Sequence, residues 1–198
     1  MHDRIELLIV PSASTDAVAR VLGRQSVEVS SLVALLIPLE HASGTIVRLL
    51  DEAGRPAAVD LAPFARSLST GGQPVGIARI DGADAQRGWE TWQNGERTRV
   101  LTVADELWIP LDAEGQPDLD GDMRTFPEGP PQGGWRRLRS CLDLGMERIL
   151  SCRFTPVTRA MERLRAGEGE ARAFALVSHG RPLHPPQELP WQQMFRSL

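Results

Sequence analysis

The sequence has no lysine, no tyrosine and a single asparagine, Asn94, among its 198 residues. All 22 basic residues are therefore arginines. We interpret this bias as the codon preference of a GC-rich genome; the alternative is selection against lysine modification. The lack of lysine also excludes the Gly-x-x-x-x-Gly-Lys loop that cradles phosphates, and no Gly-x-Gly-x-x-Gly motif is present.

Cysteines and long apolar runs are also scarce. Cys141 and Cys152 are the only cysteines, too few for a disulfide framework in a chain of this length. No run approaches the ~20 apolar residues that a membrane-spanning helix needs. The apolar run over residues 5–10 is short and contains Glu6, unlike a signal peptide. We expect a cytoplasmic protein with two free thiols and no membrane contact.

Charge divides the chain into two parts. Residues 1–129 hold 11 arginines and 20 acidic residues, a net charge of −9, whereas residues 130–198 hold 11 arginines and six acidic residues, a net charge of +5. A loop rich in proline and glycine over 117–134 separates them. We therefore predict an acidic β-rich part, 1–125, and a basic α+β part, 126–198, sharing one core. Either the two parts attract each other, or the basic part binds an anionic partner.

Hydrophobic patterning predicts an α+β fold: a mixed or mainly antiparallel sheet of six or more strands, covered by three or four short helices. The segment over 31–40 contains a continuous apolar run, residues 32–37, and favours a strand buried on both faces. Asn94-Gly95 is the strongest hairpin signal. Further strands are predicted over residues 4–10, 45–50, 74–80, 89–92, 97–103, 106–111 and 171–177.

Four helices are predicted from caps and periodicity. The first begins at Ser14 or Thr15 and ends at Gly23. The second carries an apolar stripe at spacings of three and four, formed by Trp135, Leu138, Leu142, Met146 and Ile149. The third begins at Thr155-Pro156 and ends at Gly167. The fourth is a short terminal helix over 190–198.

One phrase occurs three times in the sequence. A strand runs into a turn with Gly-(Arg/Gln)-Pro, and an aromatic residue follows eight or nine positions after the proline. The copies begin at Gly54, Gly115 and Gly180, with Phe64, Phe126 and Trp191 as the aromatic residues. Glycine permits the left-handed turn conformation. The phrase is either a structural repeat or a chance recurrence of common turn residues.

Catalytic and metal-binding patterns are weak. The four histidines, His2, His41, His179 and His184, are not spaced with the cysteines as zinc ligands are. The Asp118–Asp122 segment departs from the calcium loop, which requires glycine at its sixth position and glutamate at its twelfth. There is no Gly-x-Ser-x-Gly elbow. We predict no catalytic residues, no metal and no cofactor; a hydrolase built around His179 is a third hypothesis.

We therefore expect a non-enzymatic protein-binding module, such as an adaptor, an immunity protein or a component of a larger assembly, with another protein as its partner. The alternative is binding of RNA or DNA through the basic part, because Trp135 beside Arg136 offers stacking and charge together. The candidate binding residues are Arg136, Arg137, Arg139, Arg159, Arg163 and Trp191.

Overall fold

A computed structural model of the chain describes residues 4–39, 44–81, 87–103, 107–116, 118, 121, 124–137, 163 and 166–194. In chain order its elements are β1 (Arg4–Val10), α1 (Thr15–Leu22), β2 (Ser31–Pro38), β3 (Thr45–Leu50), α2 (Ala62–Ser69), β4 (Val75–Asp81), β5 (Arg87–Gln93), β6 (Glu96–Val103), β7 (Leu107–Pro110), β8 (Arg124–Thr125), β9 (Trp135–Arg137), β10 (Arg172–Ser178), β11 (Arg181–Leu189) and α3 (Trp191–Met194).

Eight strands form one sheet in the order β11-β10-β2-β3-β1-β4-β5-β6, and every neighbouring pair is antiparallel. The remaining strands form a small sheet in the order β8-β7-β9. The α+β class and the large antiparallel sheet predicted from the sequence are therefore confirmed. Because β10 pairs with β2, residues from the basic part extend the sheet of the acidic part. The boundary near residue 125 stays a prediction.

Both faces of the central strands are buried. Side chains alternate along each strand, so one face of β1 carries Leu8 and Val10 and the other Leu7 and Ile9. Helices α1 and α2 cover the first face, which we call the helix face; its core is formed by Leu8, Val10, Val18, Leu22, Ala34, Leu36, Val47, Leu49, Phe64, Leu68, Val75, Ile77, Trp92, Phe174 and Leu176. The predicted burial of β2 on both faces is thus confirmed.

Helix α1 follows the prediction closely. The Ser14 hydroxyl accepts a hydrogen bond of 3.4 Å from the Ala17 N–H, which satisfies one of the free amides at the helix start. Gly23 closes the helix by donating to the carbonyl of Ala19. A side chain at Gly23 would meet Pro186 of β11, so this glycine also permits close packing of the helix end on the last strand.

The predicted number of helices is wrong for the described residues, where two helices of eight residues cover the sheet and α3 adds a single turn. Trp135 lies in β9 rather than at the start of a helix, because it pairs with Pro110 of β7 after the left-handed Gly133 and Gly134. The rest of the predicted stripe, both cysteines and the start of the third predicted helix lie outside the described residues.

The first two copies of the repeated phrase share one turn. Oδ1 of Asp51 accepts hydrogen bonds from the N–H groups of Ala53 and Arg55, each 2.9 Å. Asp112 does the same for Glu114 at 3.1 Å and Gln116 at 2.7 Å. The third copy differs, because His179 and Gly180, at φ 50° and 76°, form a two-residue hairpin turn between β10 and β11.

Candidate functional site

The two edges of the large sheet differ in their ability to accept another strand. Edge strands expose unpaired N–H and C=O groups, and proline blocks such pairing because it has no N–H. Strand β11 contains three prolines, Pro182, Pro185 and Pro186. Sequence analysis did not predict this strand, and its prolines make it a poor template for a further strand.

Strand β6, at the opposite edge, has eight residues and no proline. No strand among the described residues pairs with its outer side. Val100 is 50% exposed, and it is the only exposed large hydrophobic residue among the described residues. A proline-free edge strand presents backbone N–H and C=O groups to which an added strand can bond.

A row of alternating charges crosses four strands on the helix face and ends at this edge. Glu6 of β1 accepts a 3.0 Å hydrogen bond from Nε of Arg79 on β4. Nη1 of Arg79 also bonds Oε1 of Glu90 on β5. Oε2 of Glu90 then lies 3.9 Å from Nη1 of Arg97 on β6. The order of charges is negative, positive, negative, positive, which we call the charge ladder.

The last member of the charge ladder, at the edge of the sheet, is the most exposed, and the three inner members are buried or partly buried. The side chain of Glu90 is 9% exposed, that of Arg79 28% and that of Arg97 54%. Burial lowers the pKa of Arg79, but hydrogen bonds from its guanidinium to Glu90 and Glu6, with their negative charges, outweigh this effect and raise the pKa above its ordinary value. Arg79 is therefore a permanent cation that fixes both carboxylates.

Trp92 and Arg66 complete the helix face beside β6. The buried Trp92 donates from Nε1 to Oε2 of Glu90 at 3.2 Å. The guanidinium carbon of Arg66, on α2, lies 5.9 Å from the centroid of the Trp92 ring, within the range of a cation–π contact. Arg97 of β6 pairs with Trp92, so Arg66 and Arg97 are both neighbours of this tryptophan, near the turn of the hairpin.

An irregularity in β6 sets which side chains reach the helix face. Arg97 pairs with Trp92 and Arg99 with Thr91, so Thr98 has no residue opposite it on β5. The Thr98 hydroxyl instead donates to the carbonyl of Thr91 at 3.0 Å. This extra residue is the pattern of a β-bulge. As a result Arg97 and Val100, three positions apart, both lie on the helix face.

A cavity adjoins the inner end of the charge ladder. It has a volume of about 480 Å³ and lies between Glu6, Arg79 and the loop from Pro56 to Leu61. Asp60, on that loop, accepts a 3.0 Å hydrogen bond from the N–H of Ala62 and so starts α2. The cavity walls are apolar at Leu49 and Val59, and two of its charged groups, Glu6 and Arg79, pair with each other.

The four predicted binding residues that the structure describes lie in different elements of the chain. Arg136 and Arg137 lie on β9 of the small sheet, where the Arg137 guanidinium is 6.0 Å from the Trp108 ring centroid. Trp135 and Arg136 are consecutive strand residues, so they lie on opposite faces and cannot offer stacking and charge together. Trp135 instead contacts Phe126 edge-to-face, with ring centroids 4.8 Å apart.

Arg163 and Trp191 lie elsewhere. Arg163 lines a cavity of about 350 Å³ at the end of β2, together with Glu168 and Glu170, and donates to the carbonyl of Glu168 at 3.4 Å. Trp191 begins α3, directly after β11, and is half-buried. Arg139 and Arg159 lie outside the described residues. Binding of nucleic acid or protein by these six residues stays a prediction.

The residues at the β6 edge were missed by sequence analysis. The Asn94-Gly95 signal predicted the hairpin correctly, and Asn94 and Gly95 both adopt positive φ in the turn. Nothing local shows that β6 is an edge, because strand order depends on contacts distant in sequence. Among the described residues, no group of three or more histidine, cysteine or acidic side chains could hold a metal ion, and no helix is long and apolar enough to cross a membrane.

The chain matches no protein-family model, no curated protein and no solved structure. The geometry of the β6 edge is therefore the basis for a functional proposal.

Proposed function

We propose that this protein is a protein-binding module that takes up a partner by strand addition at β6. The observation that carries the proposal is the contrast between the two edges of the sheet. Strand β11 has three prolines, whereas β6 has none and exposes Val100. In strand addition, main-chain hydrogen bonds supply affinity and alternate side chains supply specificity.

The sheet behind β6 supports this role. A rigid template lowers the entropy that is lost on binding, because its backbone does not have to be ordered. Strand β5 pairs with β6 along the full hairpin and carries Trp92 and Glu90, both buried. The turn is anchored on α2, since the Ser69 carbonyl accepts from Asn94 and the Ser69 hydroxyl from Gly95. The edge is therefore held in an extended form before a partner arrives.

The test begins with the protein that co-purifies with this chain from its native host, identified by mass spectrometry and then made recombinantly. Its affinity is measured for the wild type, Val100→Pro and Val100→Ala. Proline removes both an N–H and the side chain, whereas alanine removes only the side chain. Urea melts of both variants establish that the sheet is still folded.

We expect Val100→Pro to abolish binding and Val100→Ala to weaken it, because main-chain bonds dominate strand addition. A matched control on the other edge is Leu183→Ala in β11, which should bind as the wild type does. Equal affinity of Val100→Pro and the wild type would show that the partner binds elsewhere. Nucleic acid that stays bound at about 150 mM salt, where charges are screened over ~8 Å, would favour the alternative.

A further inference from the structure

The charge ladder identifies the chemistry of the strand that β6 accepts. Its first three members alternate in sign and pair with each other: Glu6, Arg79 and Glu90. Its last member, Arg97, is the most exposed. At 3.9 Å its contact with Glu90 is an ion pair beyond hydrogen-bond distance, and Arg97 makes no hydrogen bond to another described residue.

A strand added to β6 would continue the ladder with its fifth member. Residues opposite each other on paired strands have Cβ atoms about 4.5–5.5 Å apart, and opposite charges there attract while like charges repel. The added side chain beside Arg97 on the helix face should therefore be a carboxylate. Arg66 reinforces this preference, because its guanidinium lies over Trp92, the residue that pairs with Arg97.

Val100 defines a second position. It pairs with Glu90 and lies on the same face as Arg97. The partner side chain beside it covers an apolar surface that is half exposed in the free protein, so an aliphatic residue gains most there. Arg97 and Val100 are three positions apart on β6, but the bulge at Thr98 places both on one face. The partner should therefore carry its acidic and aliphatic residues on one face, two positions apart.

We propose that the β6 edge binds an extended acidic segment of a partner protein, with a carboxylate against Arg97 and an aliphatic side chain against Val100. This inference rests on the proposed strand addition and specifies its ligand. A second copy of this chain fits less well. The one carboxylate of β6, Glu96, directly precedes Arg97 and lies on the opposite face, so a second copy offers Arg97 no carboxylate from this strand.

The test uses three fluorescent peptides of strand length. In each peptide one face alternates valine with a variable residue, which is glutamate, glutamine or lysine, and the other face carries threonine. Each is titrated into the full-length protein and followed by fluorescence anisotropy. We expect the glutamate peptide to bind at least about tenfold more tightly than the lysine peptide, with the glutamine peptide between them. Arg97→Glu should reverse the order. Arg20→Glu is the control, since Arg20 is exposed on α1 at the other end of the sheet, and it should leave the order unchanged.

Hydrogen exchange of the β6 amides with each peptide separates failure of this inference from failure of the proposed function. If glutamate and lysine peptides bind equally and both protect β6, the edge accepts strands but the charge preference is wrong. If neither peptide protects β6, the assignment of an acidic segment is overturned. Strand addition is then tested by the binding measurements with the native partner. Self-association that protects β6 in the absence of peptide would show that the occupant is a second copy.

Discussion

The indole of Trp92 donates a hydrogen bond of 3.2 Å from Nε1 to Oε2 of Glu90, two positions earlier on the same face of β5. The same carboxylate bonds Arg79 through its other oxygen. Both Trp92 and Glu90 are buried, so this one side chain satisfies a buried indole and a partly buried guanidinium. It therefore joins the apolar core under α2 to the charge ladder that reaches β6.

Replacement of Glu90 should weaken the fold. Glu90→Gln keeps the shape of the side chain but loses the charge that bonds Arg79, so we expect the free energy of unfolding in urea to fall by about 1–3 kcal/mol. Glu96→Gln is the control, because Glu96 is exposed at the start of β6, and it should change stability by less than about 0.5 kcal/mol. Equal effects of the two substitutions would contradict a structural role for the ladder.

Two buried threonines should respond in opposite ways to replacement by valine. The Thr91 hydroxyl is buried and makes no hydrogen bond within the described structure. Thr91→Val removes this desolvated group, so we expect a gain of about 1 kcal/mol in urea melts. The hydroxyl of Thr45, fully buried, donates to the Ala13 carbonyl at 2.7 Å. Thr45→Val should therefore lower the free energy of unfolding by about 1–3 kcal/mol. A higher stability of Thr45→Val would contradict the predicted difference between the two threonines.

The turn shared by the first two repeat copies requires a left-handed residue. Gly115 has φ 72° and no atoms near an added Cβ, so Gly115→Ala tests backbone conformation alone. We expect this substitution to lower the free energy of unfolding by about 1–2 kcal/mol, because alanine is strained in the left-handed conformation. Gly71→Ala is a matched control, since Gly71 is also unobstructed but does not adopt positive φ, and it should be neutral or slightly stabilising. Thermal or urea melts of the two variants provide the comparison.

The ion pair between Arg172 of β10 and Glu188 of β11 should make the free energy of unfolding depend on pH. Two hydrogen bonds of 2.8 Å from Arg172 lower the pKa of Glu188 below its ordinary value of 4.5, and they outweigh the opposing effects of burial and of the Asp16 charge. A carboxyl whose pKa is lower in the folded state stabilises the protein above its unfolded pKa and loses that contribution as pH falls through the folded pKa.

We therefore expect the stability difference between wild type and Glu188→Gln to be largest near neutral pH and to narrow below about pH 4.5. Urea melts at several pH values measure it. Glu52→Gln is the control, because Glu52 is exposed in the turn after β3 and forms no ion pair with a described residue. A difference for Glu188→Gln that stays constant down to pH 3 would show that Arg172 does not hold this carboxylate in solution.

Local sequence signals predicted most strands and α1, because caps, turn residues and apolar periodicity act over a few positions. Helix α2 was missed although Asp60 and Pro63 mark its start, a signal that a closer search for helix caps could have found. Strand β11 was missed because its prolines are typical of loops and are tolerated in a strand only at an edge. Trp135 was misassigned since its spacing to later apolar residues fits a helix, whereas pairing with β7 makes it a strand residue.

The candidate site could not be predicted because it depends on strand order. Glu6, Arg79 and Glu90 are far apart in the sequence or lack any motif, and they meet only when β1, β4 and β5 are neighbours. The arginines predicted to bind a partner lie in the segment of the sequence with the highest density of basic residues. Arg97, by contrast, matters because it lies on an edge strand, and edge position is a property of the complete sheet.

The most direct test of strand addition is hydrogen exchange of the β6 amides in the complex with the purified native partner. Backbone bonds to an added strand protect alternate amides of β6, since those are the groups that face outward. We predict slower exchange at alternate positions between Glu96 and Val103, with no change in β11. Unchanged exchange along β6 in a saturated complex would contradict the account.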